Sequence, residues 1–276
     1  MTQPETLFEP RNARTTEDGL RFYTWKGNEY PSVTTIRRMA GVPFPLQQWT
    51  VTQVVNRAVD HLSDLNRMVT SDDPQVAATA KTWLRRAATE ERDRASKIGK
   101  RIHDAAQNNT PAGMVPIDIR PSVMQLENWY ETTGFDVRYR ELQVFNLTKG
   151  FAGSFDLMGY DRDRNATIVD LKSGKSTYPE HALQTVGYAL GEFVGADDVV
   201  NDEATAMLSS VSRITLLHLR PEGWVWMDLV IDKPLITAFN GLLTYAVWAD
   251  QHKKVESLVS SEQTGAWLPT PLVAVK

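Results

Sequence analysis

The sequence predicts an α/β fold: a mixed central β-sheet flanked by helices, with a mostly helical N-terminal region. Three observations carry that expectation. Between Phe135 and Lys172 the runs FDVRYRELQVF, FAGSFDLMGY and ATIVDLK are strand-like and separated by turn residues. The stretches on either side, 74–107 and 180–193, read as helices. A second strand pair, ITLLHL and WVWMDLVI, turns at Arg220-Pro221-Glu222-Gly223 and is followed by a helix from Pro234 to about Lys253. Strands interleaved with helices in this order place helices on both faces of one sheet.

The elements follow in order. Residues 20–31, LRFYTWKGNEYP, read as an aromatic hairpin turning at Lys26-Gly27-Asn28, where Gly and Asn tolerate positive φ. Ser32 caps a helix opened by PSVTTIRRM. A break at Gly41-Val42-Pro43 precedes a helix from about Leu46 to Met68. Asp73 before Pro74 starts the next helix, and the pattern to about Gln107 is long enough to expect an interruption near Thr89 to Asp93. A short helix from Ser122 to Thr133 carries Trp129 and Tyr130. The chain divides into a helical region over 1–90 packed on a core over 91–256, and a loosely patterned tail over 257–276.

Composition sets bounds on function. The 276 residues, 42% hydrophobic and 23% charged, suffice for one sizeable core. The absence of cysteine excludes disulfides, thiolate zinc sites and cysteine nucleophiles, so a metal has to sit on carboxylate, imidazole or backbone oxygen, and a reducing cytoplasm is expected. No stretch approaches the roughly 18 apolar residues of a membrane span, and MTQPETLFEP lacks a signal-peptide pattern, so a soluble protein without a membrane partner is expected. The net charge of -4 argues against a general nucleic-acid coat. Residues 81–101 nevertheless hold eight Lys or Arg against three acids. Taken alone, that run reads as a solvated helix face.

The chemistry is concentrated in the strand pair. If Asp161 to Asn165, DRDRN, is a five-residue hairpin loop, Tyr160 opposes Ala166 and Asp156 opposes Asp170. Directly opposed Cβ atoms lie about 5 Å apart. Lys172 shares the face of Asp170, and its opposed residue is the small Ser154. The other face presents Phe155, Leu157, Val169 and Leu171 to a core, and the polar face turns apolar near the loop at Met158 and Ile168. Two facing carboxylates repel unless a cation lies between them. With oxygen donors that cation is Mg²⁺ or Mn²⁺. A plain ion pair of Lys172 with one aspartate is the competing reading, and it leaves the second aspartate unmatched.

At these residues the chain resembles the PD-(D/E)XK nuclease superfamily, in the RecB-like branch that includes phage-encoded exonucleases. The resemblance spans roughly Ala95 to Phe193 and rests on four spaced elements: Gly99-Lys-Arg-Ile-His103, Gly153-Ser-Phe-Asp156, Asp170-Leu-Lys172-Ser-Gly-Lys, and Gln184-Thr-Val-Gly-Tyr188. Phe155 stands where the superfamily nominally has Pro, at a position that varies in this branch.

The resemblance implies a restriction-endonuclease-like core and a divalent-metal-dependent DNA exonuclease. It implies that Asp156, Asp170 and Lys172 are catalytic, and that Asp156, Asp170 and the Leu171 carbonyl bind Mg²⁺ or Mn²⁺, with His103 adding a ligand or binding a second ion. Gln184 and Tyr188, at i and i+4, either support the site and touch DNA or are packed helix residues. Lys100 and Arg101 end the basic run beside His103, on the approach of the phosphate backbone. Glu141 either points at the same patch or faces solvent. His181 reads as a helix-start residue, and His61, His218 and His252 have no partner in the sequence that points to catalysis. DNA is the implied partner, with a single-strand annealing protein or helicase beside it, in the host cytoplasm during recombination, replication or DNA processing. The alternative is a catalytically inactive nuclease-fold DNA-binding or scaffold protein.

Overall fold

The structure is a computed structural model, and it describes residues 13–16, 19–39 and 44–252. Strand β1 (Ala13–Thr15) adds to the expected hairpin of β2 (Arg21–Trp25) and β3 (Asn28–Pro31). Lys26 and Gly27 both take positive φ, 46° and 78°, as a two-residue hairpin turn requires, so Asn28 already belongs to the strand. The Thr35 N–H donates to Ser32 Oγ at 2.9 Å, capping α1 (Val33–Met39). The expected break at 41–43 lies outside the described residues, as does the tail.

The single helix expected from Leu46 to Met68 is two, α2 (Phe44–Asp60) and α3 (Leu62–Val69), parted at His61. Asp73 caps α4 (Pro74–Arg85) by accepting the Gln75 N–H at 2.8 Å. The interruption before α5 (Ala87–Gln107) falls at Arg86, ahead of the expected Thr89 to Asp93. Arg57 fastens this corner by donating to Trp83 O at 3.0 Å and to Glu90 Oε2 at 2.7 Å. Helix α6 (Arg120–Thr133) ends at Gly134, whose φ of 62° makes a left-handed cap.

Three long strands follow: β4 (Asp136–Asn146), β5 (Phe151–Tyr160) and β6 (Ala166–Lys172). Helix α7 (Pro179–Ala189) stops before the expected Phe193. There Asn146 Nδ2 donates to Leu190 O at 2.6 Å and Glu192 N–H to Phe145 O at 2.7 Å, drawing the chain alongside β4. The sequence reading did not separate β7 (Phe193–Ala196), β8 (Val199–Val200) and α8 (Asp202–Ser209). Strands β9 (Arg213–Arg220) and β10 (Gly223–Asp228) and helix α9 (Lys233–Gln251) complete the described residues. The sheet order is β10-β9-β6-β5-β4-β7-β8, with β6 parallel to β9 and the other pairings antiparallel. The mixed sheet flanked by helices is the expected fold class.

Two cores lie on the two faces of this sheet. One gathers Val33, Ile36, Val144, Phe155, Met158, Ile168, Val186 and Phe239, from α1, α7, α9 and the strands. The other gathers Ile102, Leu126, Trp129, Leu157, Val169, Leu171 and Leu217, from α5, α6 and the strands. Phe155 therefore belongs with Met158 and Ile168, not with Leu157 as strict alternation predicted. Alternation is interrupted at Asp156 and at Glu141 on the adjacent strand, whose φ of 49° is left-handed. A smaller aromatic cluster of Tyr23, Trp25, Phe145 and Phe193 joins the three-stranded sheet to β4 and β7. No helix among the described residues is long and apolar enough to cross a membrane.

Candidate active site

The loop DRDRN is the predicted one: Asp161 N–H donates to Asn165 O at 3.1 Å, and Asn165 N–H to Asp161 Oδ1 at 2.8 Å. The predicted register follows, with Tyr160 opposite Ala166 and pairing continuing to Leu157 opposite Val169. It stops there. Asp156 and Asp170 are not a ladder pair, because the Asp156 carboxylate enters the gap and its Oδ2 accepts the Leu171 N–H at 2.6 Å. The strands part, so Lys172 does not face Ser154 as expected. Lys172 sits beside His218 of β9 in the parallel ladder, while Ser154 pairs with Gln143 and its Oγ donates to Glu141 Oε1 at 2.8 Å.

The parted strands draw in helices from both layers. From α5, His103 Nδ1 donates to Asp156 Oδ1 at 2.8 Å. Gly99, one turn earlier, lets α5 close on the β6–α7 loop: a Cβ there would stand 3.2 Å from Ser173 Oγ. Lys172 Nζ lies 2.5 Å from Asp170 Oδ2, and it donates to Gln184 Oε1 of α7 at 3.4 Å. Gln184 Nε2 in turn donates to the Tyr188 hydroxyl at 2.6 Å. Tyr188 is 3% exposed, packs against Phe155 and covers Gly153, so it reaches the site through Gln184. Glu141 is brought to the same place by its left-handed backbone. Lys100 and Arg101 lie on the outer side of α5, where Lys100 pairs with Asp104 at 2.9 Å and Arg101 with Asp118.

Electrostatics separate the carboxylates. Burial penalises ionised Asp156, yet the His103 and Lys172 charges and the Leu171 amide outweigh it and hold its carboxyl below the ordinary value. Burial also opposes the His103 imidazolium, but Asp156 lifts it to about 9. Burial raises Asp170 despite the pull of Lys172. Burial and the charge of Asp156 push Glu141 up to about 7. Three acids thus compete for two cations.

A divalent cation suits these donors in kind, three carboxylates and one imidazole. Asp170 Oδ2 is buried, with the Lys172 ammonium 2.5 Å away as its ion-pair partner. The donor set itself is what fits a cation, since both aspartates already draw a cationic side chain, His103 to Asp156 and Lys172 to Asp170. As arranged, no group of three or more His, Asp or Glu among the described residues is gathered to hold a metal ion. His103 and Lys172 occupy the aspartates instead.

The sequence reading set His218 aside, and the structure brings it beside Lys172. His218 Nε2 donates to Gly174 O at 2.7 Å, fastening the loop after Lys172. Only the non-local pairing of β6 with β9 brings it there. His181 is a helix-start residue, as expected: its Nδ1 accepts the Tyr178 N–H at 3.2 Å.

No protein-family model matches the chain, and no characterised protein matches it in sequence. Among solved structures it is similar to an alkaline exonuclease from Laribacter hongkongensis, with 14% identity and a TM-score of 0.32 over 49% of this chain and 66% of that one. It is also similar to the protein SSO0001, with 14% identity and a TM-score of 0.26 over 63% of this chain and 82% of that one.

Proposed function

We propose that the protein is a divalent-metal-dependent nuclease that hydrolyses DNA phosphodiester bonds from chain ends, in phage recombination, replication or DNA processing. The observation that carries this reading is the convergence of Asp156, Asp170 and a restrained Lys172 where β5 and β6 part. A structural ion pair needs one aspartate, whereas here two converge, one drawn to His103 and one to Lys172.

The chain's own groups have distinct tasks in this reading. Asp156, Asp170, the Leu171 carbonyl and His103 would hold Mg²⁺ or Mn²⁺, which supplies Lewis acidity towards water and phosphoryl oxygens when bound. Lys172 Nζ, steadied by Gln184, orients the attacking water and stabilises negative charge growing on the phosphoryl oxygens. Tyr188 positions Gln184 and so acts on Lys172 at one remove. Glu141 holds Ser154 and adds negative charge that favours a cation over the His103 proton.

Titration calorimetry with Mn²⁺ tests the donor set: wild type should bind, and Asp156→Asn and Asp170→Asn should each lose about 1–2 kcal/mol or more of affinity, the scale of one charge-assisted contact. Equal binding by all three would contradict it. The pairing of His103 with Asp156 and of Lys172 with Asp170 favours a second reading, an inactive DNA-binding module whose charges are compensated within the chain. Duplex DNA binding with no hydrolysis in Mg²⁺ or Mn²⁺ would select it.

A further inference from the structure

Lys172 is the last residue of β6, and β5 has already left it: the ladder between the two strands ends at Leu157 opposite Val169. Asp170, Leu171 and Lys172 continue beside Leu216, Leu217 and His218 of β9, their one remaining ladder neighbour among the described residues. Beyond Lys172 this ladder ends too, yet β9 keeps hold of the chain through side chains. His218 and Arg220, two residues apart and so on one face of the strand, both donate to Gly174 O, from Nε2 at 2.7 Å and Nη1 at 3.2 Å. The ion pair of Arg220 with Glu222 is made through Nε at 3.6 Å and leaves Nη1 for that carbonyl. From the other face of the sheet α5 meets the same loop at Ser173, where a Cβ on Gly99 would stand 3.2 Å from Oγ.

A carbonyl oxygen has two lone pairs, so two donors fix the Gly174 peptide in direction as well as in distance. Hydrogen bonds this exposed add little to global stability, because water replaces them when they break. Their effect is on position. Hydrolysis needs the Lys172 ammonium on target, and a displacement of about 1 Å can cost about a hundredfold in rate. Asp170 and Gln184 hold the head of that side chain, and the clamp on Gly174 holds the backbone that carries it. We infer that His218 and Arg220 are positioning residues for Lys172, acting through the Gly174 carbonyl without contact with the reacting atoms. Their part in hydrolysis rests on the nuclease reading; the clamp on Lys172 does not.

Two measurements separate the claims. The first follows acetylation of the lysine amines by an N-hydroxysuccinimide ester, read site by site by mass spectrometry without metal or DNA. Lys172 should react slowly in wild type and about tenfold faster in His218→Ala, the scale of one lost hydrogen bond. His218→Gln, which retains an N–H donor, should lie between them, and Lys149 should react alike in all three. The second is steady-state hydrolysis of linear DNA in Mg²⁺ or Mn²⁺. His218→Ala should lower kcat about tenfold with KM and Tm nearly unchanged, and His218→Gln should recover most of the loss. Arg220→Met gives a second variant should His218→Ala not fold, and it should move both readouts the same way. Glu222→Gln, which removes only the outer ion pair, should move neither. Faster Lys172 acetylation in the variants of a protein whose wild type hydrolyses no DNA keeps the clamp and overturns the nuclease reading. Unchanged acetylation and kcat in His218→Ala and Arg220→Met overturn the clamp, as does a fall in kcat that tracks a fall in Tm and that His218→Gln fails to reverse.

Discussion

Glu141 combines a left-handed backbone, φ 49°, with a carboxyl that burial and Asp156 raise to about 7. Non-glycine residues held there carry about 1–3 kcal/mol of strain and persist only where the surroundings over-determine them. A folded value above the unfolded one near 4.3 means stability is fully present below pH 4 and lost as pH rises through about 7. Glu141→Gln should therefore match wild type in thermal unfolding near pH 4 and exceed it above pH 7, by about 1–3 kcal/mol. A constant difference across that range would contradict the assignment. Gly153 is a second sensitive position. A Cβ there would stand 2.7 Å from Tyr188 Cε1, against a fully packed ring. Gly153→Ala should cost about 2 kcal/mol in denaturant unfolding and lower hydrolysis by disturbing Gln184 and Lys172.

The β5–β6 hairpin is the element on which the site depends. Arg213 clamps its loop, donating to Asp161 Oδ2 at 3.0 Å and to Asp228 at 2.7 and 2.9 Å while lying over the Trp226 ring. Arg213→Ala leaves Asp161 buried with fewer partners and should cost about 2–3 kcal/mol in unfolding experiments. In α7, Tyr188→Phe keeps the ring and removes the hydroxyl. It should lower kcat about tenfold with KM and thermal stability nearly unchanged, whereas a packing role alone would leave kcat as it is. Much of this hairpin was legible in the sequence, because DRDRN fixed the loop length and hence the register to Leu157. The parting of the strands was not, since it arises when Asp156 captures the Leu171 amide. Short β7 and β8 carry too few residues for a period to emerge, and α8 was foreshadowed only by Asn201, whose side chain accepts the Ala204 N–H at 2.9 Å. The position of His218 depends on the pairing of β6 with β9, which are distant in sequence.

At the scale of the whole molecule, acids and bases are sorted about the opening in the sheet. Asp156, Asp170 and Glu141 meet between α5 and α7, and His218 and Arg220 fasten the loop after Lys172 beside them. Lys172 pairs with Asp170 and reaches Gln184, and it is the residue on which the account turns. The most direct measurement is degradation of end-labelled linear DNA and closed circular DNA by wild type and Lys172→Ala, in Mg²⁺, Mn²⁺ or EDTA. The account predicts metal-dependent loss of linear DNA by wild type, circles left intact, and no loss with Lys172→Ala. Equal degradation by Lys172→Ala, or no degradation by wild type in either metal, would contradict it.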